Sequence, residues 1–169
     1  MKSKTRKIVI SAMLAALVCV GTMIIKIPLP GSGYIHLGDG VVLLAAGMLS
    51  PLYGFLVAAV GSALADLLSG FVIYAPATFV IKGCMASVAY FIFARLKDKL
   101  GHKGLPARLI GSAAAEVIMV GGYFIFEWVL YDLALALANI PMNGIQGAAG
   151  IVIGVVLIEI FERSHLFDK

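Results

Sequence analysis

A chain of 169 residues that is 62% hydrophobic and only 13% charged, with a mean hydropathy of +1.05, departs far from the roughly 25% charged residues of a soluble domain. It reads as one integral membrane domain over residues 1–169, with room for about five or six spans of some 20 residues each and none for a soluble catalytic domain. The net charge of +4 is not a nucleic-acid footprint, because the basic residues gather at the ends of apolar runs and no aromatic-interleaved basic surface remains.

Lys2, Lys4, Arg6 and Lys7 precede the first apolar run. Arg95, Lys97, Lys99, Lys103 and Arg108 surround one internal loop, and Arg163 and Lys169 stand at the C-terminal end. The positive-inside rule assigns all three regions to the cytoplasm. Ile8 to Ile25 is long for the apolar stretch of a signal peptide and lacks a clean small-x-small cleavage site, so it reads as a retained first span. Cys19 and Cys84 fall inside apolar segments and suit packing rather than a disulfide framework or a zinc site.

Span one is expected from about Thr5 to Ile27, leaving the membrane on the outer side at Pro28 and Pro30. A Pro- and Gly-rich outer loop, Pro28–Gly38, carries Tyr34 and His36, an unusual cargo for a plain connector. The next apolar run, Leu37 to Ser50, has 14 residues, about 21 Å as helix, short of a core of about 30 Å. It must be tilted, enclosed by protein or sunk below a cavity. Ser50-Pro51 forms an inner turn, with Pro suited to the first helical position. Span three follows from Leu52 to about Ser69, an outer loop from Gly70 to Pro76, and span four from Ala77 to about Leu96. The polar, basic loop Lys97 to Pro106 is cytoplasmic. Span five covers Ala107 to about Tyr131, a third outer connection holds Asn139, Pro141 and Asn143, and span six runs from about Gly144 to Phe161. Six transmembrane helices with both termini cytoplasmic satisfy every basic cluster.

The polar residues of this layout gather at one depth, toward the outside: Tyr34, His36 and Asp39; Asp66; Tyr74, Thr78 and Lys82; Tyr123 and Glu127; and Asn139, Asn143 and Gln146. Ionisable groups within apolar spans are costly and mark ligand or ion pathways. Carboxylates and amides can read ring nitrogens and hydroxyls while aromatics stack on ring faces, which suits a small polar heterocycle. Structural roles compete for the same residues. Asp66 and Lys82 can pair between adjacent helices, Glu127 can sit at the interface, and Tyr34 and His36 can be ordinary loop residues. Asp39, following Gly38 at the start of an apolar run, is placed to cap a helix. Glu116, midway along span five, has no evident partner.

Small residues spaced by four, Ala12 with Ala16, Gly61 with Ala65 and Gly150 with Gly154, permit close helix approach. Internal packing accounts for such pairs, and for Ala12 and Ala16 a partner protein competes with it. No phosphate-binding loop, metal spacing or nucleophile elbow is present. The chain therefore reads as no enzyme and as needing no cofactor, and energised transport would require another subunit or an ion gradient.

Three stretches, LGDGVVLLAAGMLSPLYGF (Leu37–Phe55), GSALADLLSG (Gly61–Gly70) and YAPATFVIKG (Tyr74–Gly83), together with Ala12 and Ala16, resemble the substrate-binding S components of the energy-coupling factor (ECF) vitamin transporters. The resemblance extends over nearly the whole length. It implies a six-helix subunit of a bacterial cell membrane that binds a water-soluble vitamin or precursor from outside. It also implies that Ala12 and Ala16 contact a shared transmembrane (T) subunit carrying two ATPases, and that the loop Pro28–Gly38 lids the pocket. Within the subgroup of riboflavin, pyridoxine and hydroxymethylpyrimidine binders, a pocket rich in ionisable groups favours a small ring, pyridoxine or hydroxymethylpyrimidine, over riboflavin. A stand-alone carrier in which Asp66, Glu116 or Glu127 takes a proton is the other reading of the same carboxylates.

Overall fold

The computed structural model describes residues 4–29, 33–100 and 104–164. Lys2, Lys103 and Lys169, on which part of the topology reading rests, lie outside these residues, as does the tip of the first outer loop, residues 30–32. Six helices and one short hairpin follow in the order α1 (Lys4–Ile24), β1 (Lys26–Pro28), β2 (Tyr34–His36), α2 (Asp39–Met48), α3 (Pro51–Leu68), α4 (Ala75–Leu100), α5 (Leu105–Leu130) and α6 (Leu133–Arg163).

Five of the helices, all but α2, are long and apolar enough to cross a membrane. They place aliphatic side chains outward, such as Val117, Ile125 and Val129 on α5 and Val152, Val156 and Ile160 on α6. The buried side of α6 carries Asn139, Asn143 and Gln146, then Gly147, Gly150 and Gly154. Polar and small residues inside with aliphatics outside invert the soluble pattern, as a bilayer solvent requires.

Helices α1, α3, α4, α5 and α6 pack as successive neighbours, and α2 lies against α6 while also touching α4, α3 and α1. Every residue from Asp39 to Ala46 is buried. The short second element is thus enclosed by protein: ten residues, about 15 Å of helix, need not match the bilayer when other helices cover their backbone and side chains.

Small residues set the close contacts. A Cβ on Gly61 would lie 2.6 Å from the Ala15 carbonyl oxygen of α1, and one on Gly154 would lie 2.7 Å from Leu43 Cβ of α2. These two pairs serve internal packing. Ala12 and Ala16, by contrast, are exposed on α1.

Two boundaries and one side-chain placement differ from the sequence reading. Span one stops at Ile24, because Lys26–Pro28 pairs antiparallel with Tyr34–His36, with Ile27 opposite Ile35; the outer loop is a hairpin. The third outer connection is not at Asn139–Asn143. It shrinks to Tyr131 and Asp132, and α6 runs continuously through Pro141. Asp132 starts that helix as its N-cap, its carboxylate accepting the Leu135 amide at 2.8 Å, so the three residues lie within a helix rather than a turn, Asn139 and Asn143 on its buried face and Pro141 exposed. Arg108, grouped above with the basic residues around the internal loop, is buried and paired with Glu159 at 3.1 Å and with Glu162.

Candidate functional site

The C-terminus of α3 and the first hairpin build the rim of a cavity at one end of the bundle. Gly70 adopts φ +87°, the left-handed conformation that ends helices in a Schellman turn. The amide of Phe71 returns to the Asp66 carbonyl at 2.8 Å and that of Gly70 to the Leu67 carbonyl at 3.3 Å. This reversal sets Asp66 one turn below Phe71, whose ring lies 4.5 Å from that of Tyr34. Lys26 fastens the hairpin to the same helix end through the Ser69 hydroxyl at 2.9 Å and lies 5.6 Å above the Tyr34 ring.

The cavity is open on one side, about 350 Å³ with its solvent-filled mouth included, and is lined by Leu29, Gly33, Tyr34, His36, Asp66, Tyr74, Thr78, Tyr123, Glu127, Asn143 and Gln146. Nine of these are residues that the sequence brings forward, contributed by the hairpin and by α3, α4, α5 and α6. Leu29 and Gly33 were missed. A Cβ on Gly33 would fall 3.4 Å from Glu127 Oε1 and 3.5 Å from the Tyr74 hydroxyl, so this glycine lets the hairpin backbone close over the α4–α5 wall. Its position immediately before the start of β2 is the signal that a hairpin reading would have supplied.

The wall is carboxyl and phenol chemistry. The Tyr34 hydroxyl donates to Asp66 Oδ1 at 2.7 Å, and burial, then the Asp66 charge, hold that phenol protonated well above its usual range. Asp66 Oδ2 is buried with no hydrogen-bond partner; the Thr78 hydroxyl, close enough to influence it, shares its bond with Tyr123 at 2.9 Å. Glu127 accepts from Asn139 Nδ2 at 3.0 Å and from the Tyr74 hydroxyl at a long 3.4 Å.

Asp39 and Lys82 are not on the lining. They form an ion pair just beneath it, both side chains 0% exposed. Two sequence readings change here. Lys82 pairs with Asp39 on α2 rather than with Asp66, and Asp39 is no side-chain cap: Gly38 holds the N-cap position with no side-chain hydrogen bond there. A buried lysine needs a buried counter-charge, and the first turn of the enclosed helix α2 presents one.

Gln146 joins floor and rim. Its Nε2 donates to Asp39 Oδ2 at 2.6 Å while its Oε1 accepts the His36 amide at 2.9 Å. A carboxylate can only accept and an amide N–H can only donate, so the two partners fix the amide orientation. His36 Nδ1 accepts the Gly38 amide at 3.0 Å, which leaves the ring proton on Nε2. Burial, with the Lys82 charge adding to it against the opposing pull of Asp39, lowers the His36 pKa to about 4, so the ring is neutral at pH 7. Glu116 packs against Gly147 and Gly150, and neither of its buried carboxyl oxygens has a hydrogen-bond partner. No group of three or more His, Cys, Asp or Glu side chains fit to hold a metal occurs among the described residues.

A family model described as ECF-type riboflavin transporter, S component, matches residues 2–163. The chain belongs to this family. It is 36% identical over 138 residues, 81% of this chain and 88% of the relative, to a Pyrococcus woesei protein described as an uncharacterized protein in the gap 3' region. It is 26% identical over 168 residues, 96% of this chain and 92% of the relative, to the thiamine precursor transporter HmpT of Lactococcus lactis subsp. cremoris (strain MG1363). Among solved structures it is similar to the S component of a bacterial ECF transporter, with TM-score 0.73 and 26% identity over 99% of both chains. A biotin S component superposes with TM-score 0.72 at 16% identity, covering 94% of this chain and 92% of that one, a likeness of fold alone. The S components are transporter subunits and not an enzyme family.

Proposed function

We propose that this S component captures a small, water-soluble ring vitamin or precursor from the outer face of a cell membrane and delivers it to an ECF importer. The observation that carries the reading is the lining of the cavity: phenols, carboxyls and amides from four helices and a hairpin converge on one site, the few placed polar groups among aromatics that small-molecule sites use. That lining, and the likeness to a transporter named for a thiamine precursor, support pyridoxine or hydroxymethylpyrimidine as the ligand. Riboflavin is the second reading, favoured by the description of the matching family.

Tyr34, His36, Asp66, Tyr74, Thr78, Tyr123, Glu127, Asn143 and Gln146 contact the ligand, and Asp39 and Lys82 hold the floor beneath it. Transport requires a transmembrane T subunit and two ATPase subunits, and the exposed Ala12 and Ala16 form the shallow groove on α1 that receives the T subunit. Both termini lie on the cytoplasmic side with Lys4, Arg6, Lys7 and Arg163, and α2, enclosed by its neighbours, returns the chain inward between α1 and α3 as the sixth crossing. Titration calorimetry of the isolated protein in detergent against a panel of B vitamins and precursors, without nucleotide, tests the proposal. Tight binding of one ring vitamin is the expected result; no heat with any member would overturn it.

A further inference from the structure

Resting on that reading of the cavity, we infer that Asp66 selects the ligand's functional group: its Oδ2 is the acceptor for an exocyclic amino donor. The site thereby prefers an amine-bearing ring over the same ring carrying an oxo group or an anionic substituent. Asp66 is 5% exposed; Oδ1 is taken by the Tyr34 hydroxyl at 2.7 Å, and Oδ2, on a residue that lines the cavity, has no donor of its own. A buried acceptor left without a donor costs free energy that a ligand donor recovers and a ligand acceptor does not.

The rest of the cavity supports the same sign. Its second carboxyl, Glu127, also lines it, and among the described residues no lysine or arginine does. Lys82 is committed to Asp39, and Lys26 stays outside on Ser69 and the Tyr34 ring. The His36 ring, whose Nδ1 is occupied by the Gly38 amide, offers one neutral N–H and no charge. A phosphate or carboxylate on the ligand would therefore enter beside two carboxyl groups with no cation to meet it, and like charges in a low-dielectric site are strongly disfavoured.

The test is calorimetry on the full chain with three probes: 4-amino-5-hydroxymethyl-2-methylpyrimidine, its 4-oxo counterpart, which differs at the reading group, and its phosphate monoester, which keeps the amine and adds an anion at the hydroxymethyl. The amine should bind on the order of 10–100-fold more tightly than the oxo ring, and the phosphate most weakly. In Asp66→Asn, Tyr34 keeps the amide oxygen and an NH₂ replaces Oδ2, so the preference should fall or reverse toward the oxo ring. Tyr34→Phe, which leaves the carboxylate in place, should retain the amine preference at reduced affinity and serves if the first variant does not fold. Binding of the amine and oxo rings with equal affinity, or an amine preference that survives Asp66→Asn, would overturn the assignment of Asp66 while leaving a ring-vitamin site intact. Failure of all three probes and of every vitamin in the wider panel would overturn both.

Discussion

The floor and the wall of the outer cavity use the same residue types to opposite ends. In the floor, Asp39 is matched on both oxygens, by Lys82 on Oδ1 and by Gln146 on Oδ2, and the lysine and glutamine are themselves buried. In the wall, Asp66 is matched on one oxygen and not on the other, and the contact of Glu127 with Tyr74 is stretched to 3.4 Å. A fully satisfied buried network fixes one arrangement of helices, whereas a partly satisfied one costs free energy in the protein alone. The first is a structural device. On the proposed function, the second is a binding surface whose ligand supplies the missing donors.

Removing one charge from the floor should have the largest effect on the fold. Lys82→Met leaves Asp39 buried without its cation, a loss on the order of 3–5 kcal/mol, read as a collapse of thermal stability in detergent. Adding Asp39→Asn should recover much of it, and no recovery would mean that the pair does not act as a unit.

Acid should loosen the same corner more gently. The folded state holds His36 neutral, with a pKa of about 4 against the usual 6.5, so protonation favours the unfolded chain. The stabilisation is complete above about pH 6.5 and is lost as pH falls toward 4, about 3 kcal/mol in all. Melting curves across that interval should show the loss in the wild type and little of it in His36→Asn, whose side-chain oxygen can still accept the Gly38 amide.

A change to the wall should leave stability nearly intact and reduce binding instead. Glu127→Gln preserves shape and is expected to shift stability by less than about 1 kcal/mol but affinity by about 1–3 kcal/mol, roughly five- to 150-fold. Equal losses in both would place Glu127 with the floor.

The smallest effect on fold and ligand alike is expected at Ala12 and Ala16. Both are exposed, so replacing them with Leu should change stability by no more than about 0.5 kcal/mol and leave vitamin binding untouched. Uptake by the assembled importer should be abolished, because close helix packing in lipid depends on small residues. Uptake that survived the double substitution would remove α1 from the subunit interface.

How much of this was legible in the sequence depends on the range of the interaction. Helix number, the enclosed character of the short second element and the outer gathering of polar residues follow from local hydropathy and charge, and nine predicted residues line one cavity. The pairing of Lys82 did not follow, since Asp39 and Asp66 are equally acidic and only the packing of α2 against α4 decides between them. Asn139, Pro141 and Asn143 read as a turn because Pro and Asn are turn residues, yet the four-residue spacing of the two asparagines also fits a helix face, and their burial favours the helix. Small-residue pairs with identical spacing face inward at Gly61 and Gly154 and outward at Ala12 and Ala16; spacing alone does not distinguish them.

Native mass spectrometry of the chain, expressed without partner subunits and released from detergent before and after incubation with the vitamin panel, tests the central claim most directly. The account predicts one small ring vitamin bound per chain, without nucleotide, and lost when Asp66 and Glu127 are both neutralised. A chain that leaves the detergent with no small molecule after exposure to every member of the panel would contradict it.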